Sequence, residues 1–271
     1  MRKTTMHSAF LSTQRQQTRQ RGAALFVVIV FVMLSMLLAL WASRTSLFNE
    51  MLVGNDADYQ RAFEAAQALL QDAELDIRGE NADGSFCTDT DDDPLTGCRE
   101  KIADAPKIPL EAQEVTPLLA ELDTKTTTAK CSYGLCTKRL GRQDFWNKKD
   151  NTGLEAGEFS LLQMATANVG ARYGQFSGAT LGDSSKPANP ILADRSAANR
   201  GGWYWIEVMP YDESSKNSGL IVGGSGAAAN NLLTLNLKPN VVYRITAVAY
   251  GRKGSTMAVL QQTCARQTTK D

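Results

Sequence analysis

Histidine is almost missing from this 271-residue chain: the single one, His7, lies in the basic N-terminal segment. A His-based triad or an imidazole acid–base mechanism therefore has no candidate in the body of the protein. No phosphate-cradling glycine loop is present either. Gly223-Gly224-Ser225-Gly226 lacks the Lys and the helix start that would give it that meaning. Aspartates are plentiful, but no motif places a catalytic pair, and an enzyme is not expected. Clustered basic residues are scarce outside the N-terminus. Residues 1–22 hold five of the 29 basic residues (Arg2, Lys3, Arg15, Arg19, Arg21) and none of the 29 acidic ones, so the remainder is net acidic by five. An acidic body is a poor electrostatic partner for phosphate backbones, and direct nucleic-acid binding is not expected.

Charge is wholly absent from Ala23 to Ala42, AALFVVIVFVMLSMLLALWA. As a helix, twenty residues at roughly 1.5 Å each span about 30 Å, the thickness of a bilayer's hydrocarbon core. Five basic residues precede the run and only Arg44 follows closely, so the positive-inside rule puts the N-terminus in the cytoplasm and the body outside. Trp41 sits where an interfacial aromatic belongs. A cleaved secretory signal fits poorly, because its apolar region is shorter and Leu40-Trp41-Ala42 does not match its cleavage site. A plain single-pass anchor is the bland alternative.

Gln20-Arg21-Gly22 stands directly before the apolar run. Arg44-Thr45-Ser46-Leu47, Asn49-Glu50-Met51 and Gly54-Asn55 follow it, then Arg61-Ala62-Phe63-Glu64-Ala65-Ala66 and Leu70-Gln71-Asp72-Ala73-Glu74. In this order the blocks resemble the PilX-type minor pilins of type IV pili, densely over residues 20–77. The resemblance returns weakly in Tyr243-Arg244-Ile245-Thr246-Ala247 and Val259-Leu260-Gln261-Gln262-Thr263. It implies an α+β pilin-like fold, with a long N-terminal helix on an antiparallel sheet. It also implies cleavage by a prepilin peptidase between Gly22 and Ala23, with methylation of the new N-terminus. One position departs from most pilins: the fifth mature residue, usually Glu, is Val27. PilX-type minor pilins and GspK-type pseudopilins of type II secretion both lack that Glu, which suggests a subunit at the tip.

The implied organisation is a leader over 1–22, a transmembrane helix over 23–42, a periplasmic amphipathic helix over 43–80 and a head over 81–271. The implied partners are the inner membrane, the prepilin peptidase, other minor pilins, the major pilin and a PilY-type tip adhesin. Priming of pilus assembly, adhesion and twitching motility are the implied roles. The alternatives are a GspK-like pseudopilin and a generic single-pass periplasmic binding protein.

Past residue 43 the apolar residues become one-sided. Tyr59, Ala62, Phe63, Ala66, Leu70, Ala73 and Ile77 follow helical spacing, with Arg61, Glu64, Gln67, Gln71, Asp72 and Glu74 assigned to the solvent side. Gly54-Asn55 interrupts the pattern, and a kink or unwound turn is expected there. Short helices are expected near 111–122 and 158–168. Strands are expected at 203–208, 232–237, 241–250 and 255–265, the last two joined through Gly251-Arg252-Lys253-Gly254. Trp203 and Trp205 are expected on opposite faces, one in the core. The run 212–231 reads as a long surface loop.

All five cysteines fall in the extracytoplasmic part, where disulfides persist. Cys87–Cys98 and Cys131–Cys136 are the preferred local pairs, leaving Cys264 over, although five cysteines form two pairs in about fifteen ways. No zinc site is expected with the one His in the leader. Asp89, Asp91, Asp93 and Glu100 fall at positions 1, 3, 5 and 12 of a calcium loop. Pro94 stands where that loop needs Gly and Thr96 where it favours an apolar residue. A solvated acidic loop is the commoner outcome and calcium the alternative; no other cofactor is expected.

Overall fold

The computed structural model describes residues 20–87, 98–99, 102, 104–109, 112–126, 129–139, 144–155, 157–210 and 237–267, with only the backbone at 20–22, 112, 237–240 and 266–267. The Asp89–Asp93 and Glu100 positions and the 212–231 run lie outside these residues. The chain divides into two compact units, residues 1–54 and 55–271.

One helix, α1 (Gln20–Arg78), runs through both units. Its backbone stays helical at Gly54 and Asn55, so the unwound turn expected there does not form. An isolated Gly costs a helix only about 1 kcal/mol, which the long hydrogen-bonded neighbours on either side absorb. In the first unit every residue from Ala23 to Gly54 is exposed apart from the half-buried Gly54. The hydroxyl of Ser35 donates to the Phe31 carbonyl at 2.7 Å, so the only polar side chain in the apolar run is satisfied within the helix.

The second unit is built on a five-stranded sheet in the order β1-β2-β3-β4-β5, with β1 (Cys131–Ser132), β2 (Leu135–Thr137), β3 (Gly202–Pro210), β4 (Leu237–Tyr250) and β5 (Met257–Gln267). All neighbours are antiparallel except β2 and β3. The strands expected at 203–208, 241–250 and 255–265 lie within or across β3, β4 and β5. The one expected at 232–237 falls outside the described residues except for Leu237, which begins β4. The sequence gives no sign of the small β1–β2 hairpin, because strands of two and three residues carry no periodicity. Its loop is Tyr133-Gly134, both with positive φ (50° and 81°), the geometry of a tight two-residue hairpin turn. A Cβ on Gly134 would also stand 2.7 Å from that of Ala171. Pro239, which has no N–H to donate, falls where the β4–β5 register shifts.

The sheet is covered on both faces. Ala62, Ala65, Ala66, Leu69, Leu70, Ala73 and Ile77 of α1 pack with Tyr204, Ile206, Val208, Tyr243, Ile245, Ala247 and Ala249. Helix α2 (Ala112–Thr124) joins the same cluster through Val115, Leu118 and Leu122. The opposite face carries Trp203, Trp205 and Val248 against Phe145, Leu161, Met164 and Val169. Both tryptophans are buried on this one face, correcting the expectation that they diverge: residues two apart in a strand share a face. Their indole N–H groups donate to the carbonyls of Ala198 (2.8 Å) and Met164 (3.1 Å). The 158–168 helix shrinks to the single turn α3 (Leu161–Met164), and another short turn, α4 (Pro190–Ala193), precedes β3.

Two disulfides close, Cys87–Cys98 and Cys131–Cys136, and Cys264 is a free thiol. The first links segments 11 residues apart and contributes about 3 kcal/mol by restricting the unfolded chain. The second lies across the directly paired residues of the β1–β2 hairpin.

Leu69 is fully buried between α1 and β3, so Leu69→Ala is expected to cost about 2–5 kcal/mol. The check is a denaturant titration followed by the near-UV tryptophan signal. A loss well under 1 kcal/mol would mean that α1 is not packed on the sheet as described.

Candidate assembly surfaces and the helix joint

The residues singled out for processing and assembly lie at the start of α1. Gly22 and Ala23 fall within its first turn, and Val27 is half exposed, with an apolar side chain where most pilins carry a carboxylate. The exposed apolar surface does not stop at the end of the twenty-residue run. Leu47, Phe48, Met51, Leu52 and Val53 are each more than half exposed. A helix from residue 23 to 53 is roughly 46 Å long, well beyond the roughly 30 Å that a hydrocarbon core covers. A hydrocarbon core of that thickness would cover only part of this surface.

In the second unit the inward face of α1 carries three aspartates that the amphipathic pattern did not isolate. Asp58, Asp72 and Asp76 are all at most 5% exposed. Asp72 was assigned to the solvent side; it is buried instead, because the sheet and the 172–178 loop cover that flank of the helix. Asp58 accepts from the backbone N–H groups of Arg252 (2.9 Å) and Lys253 (3.0 Å), clamping the β4–β5 turn. Burial pushes its pKa up, but these donors and the Thr256 hydroxyl outweigh it and hold it below the usual value. Asn55, one turn earlier, accepts from Lys253 Nζ at 2.9 Å. A Cβ on Gly251 would collide with the Asp58 carboxylate, so the turn needs Gly there.

Asp76 takes both prongs of Arg99 at 2.6 Å and the Tyr204 hydroxyl at 3.0 Å. Arg99 follows Cys98 directly, so the Cys87–Cys98 bridge delivers its guanidinium to α1, where it also lies 4.0 Å over the Phe176 ring. Burial, then the charges of Asp76 and Asp72, push the Tyr204 phenol well above its ordinary pKa, so it remains a donor. Asp72 accepts from the Ser177 hydroxyl and from Gly174 N–H at 2.8 Å. Burial dominates these bonds and raises its pKa to about 6.

On the other face, Glu207 sits between Arg139 (3.2 Å) and Arg244 (2.7 Å). Burial raises its pKa, yet the Arg244 bond and the Arg139 charge bring it below the usual value. Cys264 packs at the edge of the α1-facing cluster. Burial, then the nearby Glu74 charge, raise its thiol pKa, which keeps it protonated. Among the described residues no group of three or more His, Cys, Asp or Glu is placed to hold a metal ion.

Asp72 makes stability depend on pH with a defined sign. Its folded pKa, about 6, lies above the unfolded value of 3.8, so folding takes up a proton and the buried charge costs stability above pH 6. Relative to Asp72→Asn, the native protein should gain about 1.4 kcal/mol per pH unit as pH falls from 6 to 4. Denaturation midpoints of both proteins between pH 4 and 7.5 measure this, and parallel curves would contradict the buried ionisation.

Two family models match the chain: the PilX N-terminal model over residues 21–71, and the model of the C-terminal part of type IV pilus assembly protein PilX over residues 132–266. The first covers the apolar helix and the start of its packed half, the second the sheet from β1 to β5. No curated protein and no solved structure shows a significant match. An apolar N-terminal helix, a head sheet packed on its continuation and both halves of the family pattern in order make this chain a PilX-type type IV pilus assembly protein.

Proposed function

We propose that this minor pilin is cut between Gly22 and Ala23, enters the pilus by lateral packing of α1, and takes a place at or near the tip. The observation that carries the reading is the length of the exposed apolar surface, which continues through Leu47, Phe48, Met51, Leu52 and Val53 past what a bilayer covers. Another pilin helix is the natural cover. It buries the stripe 47, 48, 51 and 52, which falls on one side of the helix by its 3.6-residue period. Burying each large apolar side chain contributes about 1.5–3 kcal/mol, enough for several of them to hold a subunit as it leaves the lipid.

The leader's five basic residues hold the N-terminus in the cytoplasm and the head in the periplasm of the inner membrane before assembly. Removal of residues 1–22 leaves a helix whose apolar surface serves first as anchor and then as assembly face. Val27 offers no carboxylate to meet the terminal amine of a subunit ahead, which suits a place with none ahead. Other minor pilins, the major pilin and a PilY-type adhesin are the partners that such a place supplies. Adhesion and twitching motility then follow from the pilus as a whole.

N-terminal sequencing and intact mass, in cells with and without the prepilin peptidase, test the processing. The expected chain starts at a methylated Ala23 only when the peptidase is present; a Met1 start in its presence overturns the reading. Met51→Asp is expected to leave the head's melting temperature unchanged and to lower recovery of the subunit in sheared pili by about tenfold or more. Val27→Glu is expected to move the subunit along the fibre, scored by immunogold labelling. Unchanged labelling at fibre ends would remove the argument from Val27.

A further inference from the structure

At the end of the head where Asp58 clamps the β4–β5 turn, a cavity of about 470 Å³ opens beside α3. Its floor and lip are apolar: Leu161 is buried, Met257 is half-buried and Leu162 is 50% exposed. Its polar lining is Asn199, the hydroxyls of Tyr250, Ser255 and Thr256, and one cation. Lys149 is the one charged residue in the lining, exposed, and neither its ammonium nor the Ser255 hydroxyl has a hydrogen-bond or ion-pair partner among the described residues. Tyr250, whose phenol burial pushes up to about 12, adds another donor that stays protonated.

Both walls are fixed before anything binds. The Ser160 hydroxyl accepts from Gln163 N–H (3.2 Å) while Gln163 Oε1 accepts from Ser160 N–H (2.9 Å), a reciprocal cap that sets α3 and therefore Leu161 and Leu162. The opposite wall, residues 254–257, hangs on the turn that the Asp58 carboxylate holds. An apolar pocket between two braced walls, with a single cation at its lip, has the form of a site that receives a ligand.

We propose that this groove seats a large apolar side chain of another pilus component, one with an Asp or Glu beside it in sequence whose carboxylate pairs with Lys149. The volume exceeds that of any single side chain, leaving room for an aromatic or long aliphatic anchor and the adjoining carboxylate. The charge selects the neighbour: a cation beside the anchor would face Lys149 unscreened as the interface closes. The idea rests on the assembly reading above for the identity of the partner, and on the groove's own geometry for the chemistry of contact.

The test places a photo-crosslinking phenylalanine analogue at Leu162 in the full chain, expressed in piliated cells. Cross-linked peptides from membranes and sheared pili are identified by mass spectrometry. The same samples report whether the chain begins at Ala23, so failure of the groove and failure of the assembly reading are read separately. The expected result is a cross-link to another pilus component, at a large apolar residue within two positions of Asp or Glu. Lys149→Glu should lower its yield about fivefold and Lys149→Arg restore it, with melting temperatures unchanged. Cross-links solely to a second copy of this chain, solely to lipid, or to no protein overturn the proposal, as does a yield indifferent to Lys149→Glu. The analogue at Ser255, on the facing wall, should capture the same partner and guards against a Leu162 variant that perturbs α3.

Discussion

The head is organised around the contact between a ridge of small residues on α1 and the flat face of β3 and β4. Ala62, Ala65, Ala66 and Ala73 bring the helix backbone close to the sheet, and Leu69, Leu70 and Ile77 fill the space between. A close-set interface of this kind leaves little room for water, so every polar group trapped in it must find a partner inside. Asp58, Asp72 and Asp76 do so at three heights along the helix, with the β4–β5 turn, the 174–177 loop, and Arg99 with Tyr204 respectively. Apolar packing drives the association; the three carboxylates fix which loop lies against which turn of α1.

That division explains why the disulfide and the ion pair belong together. Cys98 and Arg99 are adjacent, so the covalent link to Cys87 and the two-pronged bond to Asp76 hold one point of the chain from two sides. A buried Asp–Arg pair is weak evidence of net stability, since desolvating both ions offsets much of their attraction. Its effect is on specificity: breaking one partner leaves the other charged and buried, so alternative placements of the segment after Cys98 are penalised. Glu207 has the corresponding place on the opposite face, between Arg139 and Arg244.

The first half of α1 obeys another rule. Among the described residues none of its apolar side chains from Leu25 to Val53 is buried, and the assembly proposed above would give that surface its cover. The groove beside α3 is a smaller instance of the same logic in the head. In both places apolar surface is left uncovered among the described residues, which is the feature the two proposals share.

The sequence by itself determined the apolar helix, its amphipathic continuation and the late strands, because these depend on local periodicity: an uninterrupted run for lipid, a 3.6-residue stripe for α1, a two-residue alternation for β3 to β5. Segment order and the resemblance of residues 20–77 were enough to point to the family. Only the tertiary structure decided the rest. The β1–β2 hairpin is too short for any period and exists through its parallel pairing with β3, far away in sequence. Asp72 resembles its solvent-facing neighbours in the sequence, and only loop 172–178 folding over it makes it buried. The backbone stayed helical through Gly54-Asn55, where the weak local propensity of two residues was outweighed by the helix on either side. Arg99 and the groove at Leu162 are invisible in the sequence for a common reason: each is made by segments that become neighbours only after the sheet has closed on α1.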